Sequence, residues 1–592
     1  MNRLSRWIVD GYRALARAYY HLRYRAVARQ LGSLTEPSSG APRDRRPGFI
    51  IIQLDGLSYD HLVQALAQGY APYIKRLLAS GQVRLAPWRC GLPSTTPAVQ
   101  AGLMFGDNED IPGFRWYEKE KQRSLVCKWP GHARLVQSRL AARRPGILRG
   151  GSSYFNVLDG EAEWAVFTLS AIRPPRLFSS VRSLGVLVLF LLSPRRILRI
   201  VGLTLWYYLK DLIRRLWTAL RPGKLPHRLF DPLSPLFHIF INILFQEVQT
   251  FGVMLDIYRG APAIYVNFTT YDEVAHQVGP THKLAFQAIK QADRQIQRIN
   301  RMRVHTTSRR YDLYILSDHG ITPSVPFQER FGQRLGDYLR EQIGDPLVLE
   351  ETGEAHEQTL AKARYLADEL QGLEEQLSSR GAAIVRAARR YVNRRIPTDW
   401  EHEGWDLARR RDVIVQDSGP LAHVYFNVTQ DRLILSDIVL LYPRLLNHLL
   451  DHPGIGLVVG LEDGAVIVMG KGGTLSVRDG EVRQHGDDPL AGLADRDYLL
   501  EQIVRLARFP HSGDLILFGA WLEDGRVISF ENQRGTHGGI GGPQGYPFLI
   551  YPAEIGLALN HMRNATDLYT HFRRYRVPER VHPRSRPGSS VQ

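Results

Sequence analysis

The sequence predicts an α/β fold, a doubly wound and mostly parallel sheet that carries a basic apolar helical insertion and a small inserted α+β subdomain. Three observations carry this expectation. Residues 48–55 form an apolar run of strand length that ends in Asp55 and Gly56, the pattern of a parallel strand covered on both faces. Two later apolar runs, 263–269 and 311–317, also stop beside Asp and His residues. Between the first run and these two, Leu92-Pro-Ser-Thr95-Thr96-Pro97 reads as a turn entering a helix, with proline at its first position.

In such a sheet, ligands collect just beyond the carboxyl ends of the strands. The first strand delivers Asp55, and the run 263–269 is followed by Asp272 and His276. The run 311–317 leads straight into Asp318-His319-Gly320, and a last apolar run, 514–520, precedes Gly535-Thr536-His537-Gly538 at some distance. Three Asp, three His and a threonine hydroxyl suit two divalent metals, each with about three protein ligands and an open position. Such a pair clamps the attacking and leaving oxygens of a displacement at phosphorus and activates a hydroxyl nucleophile. Thr95 is the expected nucleophile, because free N–H groups and the positive end of a helix dipole face the same place.

In this order, Asp55-Gly56, Thr95-Thr96-Pro97, Asp272 with His276 and Gly279-Pro280, Asp318-His319-Gly320 and the His537 segment resemble the metal motifs of the alkaline phosphatase superfamily. The branch they most resemble is the type I phosphodiesterase/nucleotide pyrophosphatase family. The resemblance implies one metal on Asp272, His276 and His537, and another on Asp55, Asp318, His319 and the Thr95 oxygen. It implies Zn²⁺, with Mn²⁺ as the alternative. It places the nucleophile at the Thr two residues before the proline, Thr95, with Thr96 one step away. A sulfatase is set aside, since Cys90-Gly-Leu-Pro93-Ser-Thr95 has one residue too many and no Arg at its end. The mutases of this superfamily need a Ser and a richer metal set that the sequence lacks.

With 592 residues and motifs spread across most of the chain, one large domain with insertions is expected. A surplus of 76 Lys+Arg over 59 Asp+Glu, +17 in all, attracts polyanions. Cys90 and Cys127 allow at most one disulfide. The sequons at Asn267, Asn427 and Asn564 read as chance, Asn267 falling in a buried strand.

Residues 1–46 form a basic amphipathic segment and linker without the apolar region of a signal peptide. Residues 47–173 carry the first part of the catalytic core. Residues 174–257 are a membrane-interface or cap insertion: nine Lys/Arg and one acid between Arg182 and Lys224 flank apolar runs too short to span a bilayer. Basic residues there would hold anionic headgroups, whereas the long aliphatic runs argue against a nucleic-acid groove. Peripheral association with a membrane, on its cytoplasmic face, is the expected location. The second core part is 258–345, followed by a helical insertion at 346–400, read as a hairpin from Glu350 to Arg395. A small α+β subdomain at 401–505 contains His423, read as packed. The third core part is 506–577, and the tail 578–592 is rich in Arg, Pro and Ser. The function expected is metal-dependent hydrolysis of an amphiphilic or nucleotide phosphodiester, the alternatives being a phosphomonoesterase or an inactive membrane-associated scaffold. The sequence carries no signal of oligomeric state.

Overall fold

The computed structural model describes residues 46–172, 198–206, 208–209, 212, 233–306, 308–344, 349–352, 386 and 412–575. Its strands, in chain order, are β1 (Gly48–Leu54), β2 (Val83–Pro87), β3 (Arg115–Glu118), β4 (Arg123–Val126), β5 (Ser152–Tyr154), β6 (Trp164–Val166), β7 (Ala263–Phe268), β8 (Tyr311–Leu316), β9 (Thr322–Pro326) and β10 (Leu349–Thr352). There follow β11 (Val413–Ser418), β12 (Leu421–Phe426), β13 (Ile455–Glu462), β14 (Ala465–Gly470), β15 (Gly473–Arg478), β16 (Glu481–Gly486), β17 (Leu515–Gly519), β18 (Val527–Ser529), β19 (Gly535–Thr536) and β20 (Phe548–Pro552).

The first sheet, of seven strands, has the order β2-β20-β8-β1-β7-β5-β6. Its pairs are parallel except where β20 meets β2 and β8. Alternation explains why it is covered twice. Ile50, Ile52 and Leu54 of β1 join Ile264, Val266 and Phe268 of β7 on one face, under the helices Leu233–Arg259 and Lys283–His305. Phe49, Ile51 and Tyr265 look the other way, toward the helices Thr96–Phe105 and Thr566–Arg573. The mostly parallel, two-sided sheet expected from the sequence is present.

A second sheet of eight strands, β10-β11-β12-β17-β13-β14-β15-β16, has its own apolar layer on each face. One layer rests on the helices Leu335–Ile343, Leu435–Leu441 and Leu445–Asp451, the other on Arg496–Ala507. His423 is packed within it, its Nε2 on Pro112 O and its Nδ1 accepting from Gly513 N.

Three details differ from the sequence reading. The run 514–520 forms β17, at the centre of the second sheet between β12 and β13. Leu515 and Leu517 feed one of its layers and Ile516 and Phe518 the other, and an apolar run does not say which sheet it enters. The residues Glu350 to Thr352, expected to open a helix, are strand, because they pair in parallel with β11. The rest of that insertion, apart from residue 386, lies outside the described residues, as do the N-terminal segment and most of 173–232. Within the predicted insertion 174–257, Val248, Phe251 and Leu255 belong to the main core, since the helix there lies on β5 and β7. Cys90 and Cys127 are both buried and free. No described helix is long and apolar enough to cross a membrane.

Candidate metal centre

The carboxyl ends of β1, β7 and β8 meet at one place. β1 runs into Asp55, and β8 leads through Ser317 to Asp318 and His319, all nearly inaccessible to solvent. After β7 the chain turns at once into the helix Thr270–Val278, so Asp272 and His276, four residues apart, share one face, with His276 Nε2 3.3 Å from Asp272 Oδ1. His537 arrives last, directly after β19, which pairs with β9. Gly56 makes the approach feasible: it has φ +73°, and a Cβ there would stand 2.7 Å from Asp272 Oδ1.

The imidazoles share one orientation. Nδ1 of His276 lies 2.7 Å from Gly535 O, that of His319 3.0 Å from Gly320 O, and that of His537 2.9 Å from Ser94 O. A backbone carbonyl holds the proton on Nδ1 and leaves the Nε2 lone pair for the interior, the arrangement of a metal-ligating histidine. His276 Nε2 and His537 Nε2 point at Asp272 Oδ1, at 3.3 and 3.8 Å. His319 Nε2 points at Asp318 Oδ2 and Asp55 Oδ1, at 3.4 and 3.6 Å. Two groups result, Asp272 with His276 and His537, and Asp55 with Asp318 and His319, the ligand atoms of each lying within 4.8 Å of one another.

Thr95 caps the helix Thr96–Phe105 from an extended conformation, but its hydroxyl does not close the cap. Thr96 Oγ1 is engaged instead, 3.2 Å from His319 Nε2 and 3.4 Å from Asp55 Oδ1. Thr95 Oγ1, Asp272 Oδ1, Asp318 Oδ2 and Asn267 Oδ1 are buried without a hydrogen-bond partner among the described residues. Buried polar atoms seldom go unpaired, and four around one point, amid carboxylates and inward imidazole lone pairs, fit divalent cations.

The charges agree. Burial, then the Asp318 and Asp272 carboxylates, push Asp55 well above the usual carboxylate range. Burial also raises Asp272, but His276 and His537 outweigh it and hold this carboxyl below the usual range. Burial and the neighbouring His319 drive His537 well below its ordinary value. Bound cations would relieve the crowding of carboxylates.

All seven residues singled out in the sequence thus stand together. Asn267 was missed. At the end of β7, its Nδ2 donates to Asp55 Oδ2 at 2.7 Å, and at 1% exposure it is no glycan acceptor. The signal was legible: Asn267 and its register partner Gln53 are the polar residues near the ends of two apolar strands. A third acidic group, Glu118, Glu120 and His511, is already neutralised by Arg139, Arg123 and Lys121 on Glu118.

Comparison with known proteins adds three findings. Residues 246–426, which hold Asp272, His276, Asp318 and His319, match the family model "Type I phosphodiesterase / nucleotide pyrophosphatase". Among solved structures, phosphonoacetate hydrolase from Sinorhizobium meliloti 1021, in complex with phosphonoacetate, is 13% identical with a TM-score of 0.38, over 90% of this chain and 96% of that one. The alkaline phosphatase PafA is 12% identical with a TM-score of 0.45, over 90% and 95%. No curated protein matches the chain. The match spans β7, β8 and the ligands they carry, so this part of the chain is similar to the type I phosphodiesterase/nucleotide pyrophosphatase family, a similarity that supports a hydrolase of phosphoric ester bonds.

Proposed function

We propose that the protein is a phosphodiesterase that uses Thr95 as nucleophile and two divalent metals, acting on an amphiphilic or nucleotide phosphodiester at an anionic membrane surface. The observation that carries this reading is the Thr95 hydroxyl, buried and without a partner among the described residues, beside two groups of inward-facing carboxylates and imidazoles. Asp272, His276 and His537 would hold one cation, and Asp55, Asp318, His319 and Thr95 Oγ the other. When bound, the pair supplies positive charge that lowers the hydroxyl's pKa and offsets charge on the phosphoryl oxygens. The chain's own contribution is placement. The first turn of the helix Thr96–Phe105 directs its dipole at the phosphoryl group, and Asn267 fixes the orientation of Asp55.

Two features support the substrate class. A cavity of about 380 Å³ shares Leu92 and Gly539 with the loops that present Thr95 and His537, and is lined by Tyr498, Leu499, Trp521, Ile540 and Tyr546. It suits the organic substituent of an ester. In the helical stretch 198–206, Ile200 and Leu203 pack on the core and Arg199 pairs with Glu247 at 3.4 Å, while Leu198, Val201, Leu205 and Trp206 are exposed. An apolar outer face in so basic a segment matches an anionic lipid surface.

Hydrolysis of bis-p-nitrophenyl phosphate against p-nitrophenyl phosphate, with Zn²⁺ or Mn²⁺ and with chelator, tests the reading. A chelator-sensitive preference for the diester is expected. A monoester preference would make the enzyme a phosphomonoesterase, and inactivity on both would favour the scaffold.

A further inference from the structure

We infer that Arg115 is a positioning residue for His537 and His276, acting through a buried relay anchored on the second sheet. This rests on the two-metal reading above.

Arg115 opens β3, far in sequence from His276 and His537, and is 2% exposed. Its Nη1 donates to Asp417 O at 2.8 Å and to Glu531 Oε1 at 2.5 Å. The other carboxylate oxygen, Glu531 Oε2, accepts from Gln533 Nε2 at 2.6 Å, and Gln533 Oε1 accepts from Thr536 Oγ1 at 2.9 Å. Thr536 precedes His537. The strap 531–537 also touches the neighbouring histidine twice: Arg534 N donates to His276 O at 2.7 Å, and Gly535 O takes His276 Nδ1. One buried guanidinium thus sets the end of a chain of bonds that orients two imidazoles.

The same guanidinium fixes what the strap rests on. The turn between β11 and β12 lies against it so closely that a Cβ on Gly419 would stand 2.2 Å from His537 O and 2.5 Å from Thr536 Oγ1. Arg115 ties that turn through Asp417 O, and its neighbour Phe114 donates its N–H to Ser418 Oγ at 2.9 Å. A charge pair this buried is costly to assemble and strongly directional once formed, which suits registry better than stability. Partners one shell out from metal-ligating histidines commonly change metal affinity 10- to 100-fold.

The test is Zn²⁺ titration of the metal-free, full-length protein against a competing chromophoric chelator, read as affinity and stoichiometry. Wild type is expected to take up two equivalents. In Thr536→Val and Gln533→Met, which cut the relay without exposing a buried charge, one equivalent should weaken about 10- to 100-fold while the other keeps its affinity. Arg115→Lys should weaken the same equivalent less than Arg115→Met does. Folded Thr536→Val and Gln533→Met proteins with both equivalents at wild-type affinity would overturn the inference. A wild type that takes up no zinc would instead sink the two-metal reading, and the inference with it.

Discussion

His319 and His537 stack face to face, their ring centroids 3.7 Å apart and their planes 15° from parallel, although the two side chains belong to different ligand groups. His276 stands 5.1 Å from His537 on the other side. The two groups therefore form one centre, and a change on either side of the stack is felt on the other.

The nucleophile assignment separates two adjacent hydroxyls. Thr95→Ala should lower kcat by about four orders of magnitude or more while Asp55, Asp318 and His319 still hold the second zinc. Because the Thr95 side chain makes no cap bond, its loss removes no hydrogen bond from the helix N-terminus. Thr96→Ala should retain turnover but weaken zinc, since Thr96 Oγ1 touches Asp55 and His319. Turnover lost only in Thr96→Ala would move the nucleophile by one residue.

Asn267→Ala removes the donor that orients Asp55. We expect kcat/KM to fall about 10- to 100-fold, with a matching rise in the zinc concentration needed for half-maximal activity. A glycosylating host should leave the mass at this position unchanged.

His423 gives a pH signature away from the centre. Burial pushes it down to about 4, because its Nδ1 already faces the Gly513 N–H and has no acceptor for a second proton. The unfolded chain takes up that proton at its ordinary value of 6.5, so the stability associated with neutral His423 is present above that value and is lost as pH falls toward about 4. The difference corresponds to roughly 3 kcal/mol. Urea titrations at pH 7 and pH 5 should show a drop that is smaller in His423→Gln, and equal drops in both proteins would refute the assignment.

Lys119 and Asp514 form a second interior pair, Nζ 3.1 Å from Oδ2, and Asp514 also accepts from Phe426 N and Leu433 N. Lys119→Met should cost about 3–5 kcal/mol by leaving the carboxylate uncompensated. Adding Asp514→Asn, which removes the charge and keeps an acceptor for a backbone N–H, should cost less than the sum of the two single changes, as a double-mutant cycle would show.

The membrane reading makes its own demand. Leu205→Ser with Trp206→Ser should reduce flotation on vesicles containing phosphatidylserine, with hydrolysis of a soluble diester unchanged. Equal flotation would remove this helix from the account.

Part of the centre was legible because its residues follow strands whose apolar run leads into a carboxylate or imidazole, a pattern that survives without knowledge of contacts. Asp55, Asp318 and His319 are of this kind. What could not be read was sheet membership. The run of β17 looks like that of β8, and only pairing with β12 and β13 assigns it to the second sheet. Glu350 to Thr352 follow the same rule in reverse, since a partner strand overrode a helical period. Arg115 and Glu531 were invisible for a related reason: a buried charge pair between distant segments leaves no mark on either one's periodicity.

β20 lies inside the catalytic sheet, between β2 and β8, yet it is the last of the described strands to be made. On the ribosome, β8 must wait with a bare, hydrogen-bonding edge while more than two hundred further residues are synthesised. Such an edge is an invitation to pair with another chain. A gene shortened just before Phe548 would still encode every residue of the centre, and its product should appear in inclusion bodies rather than as a weakened enzyme.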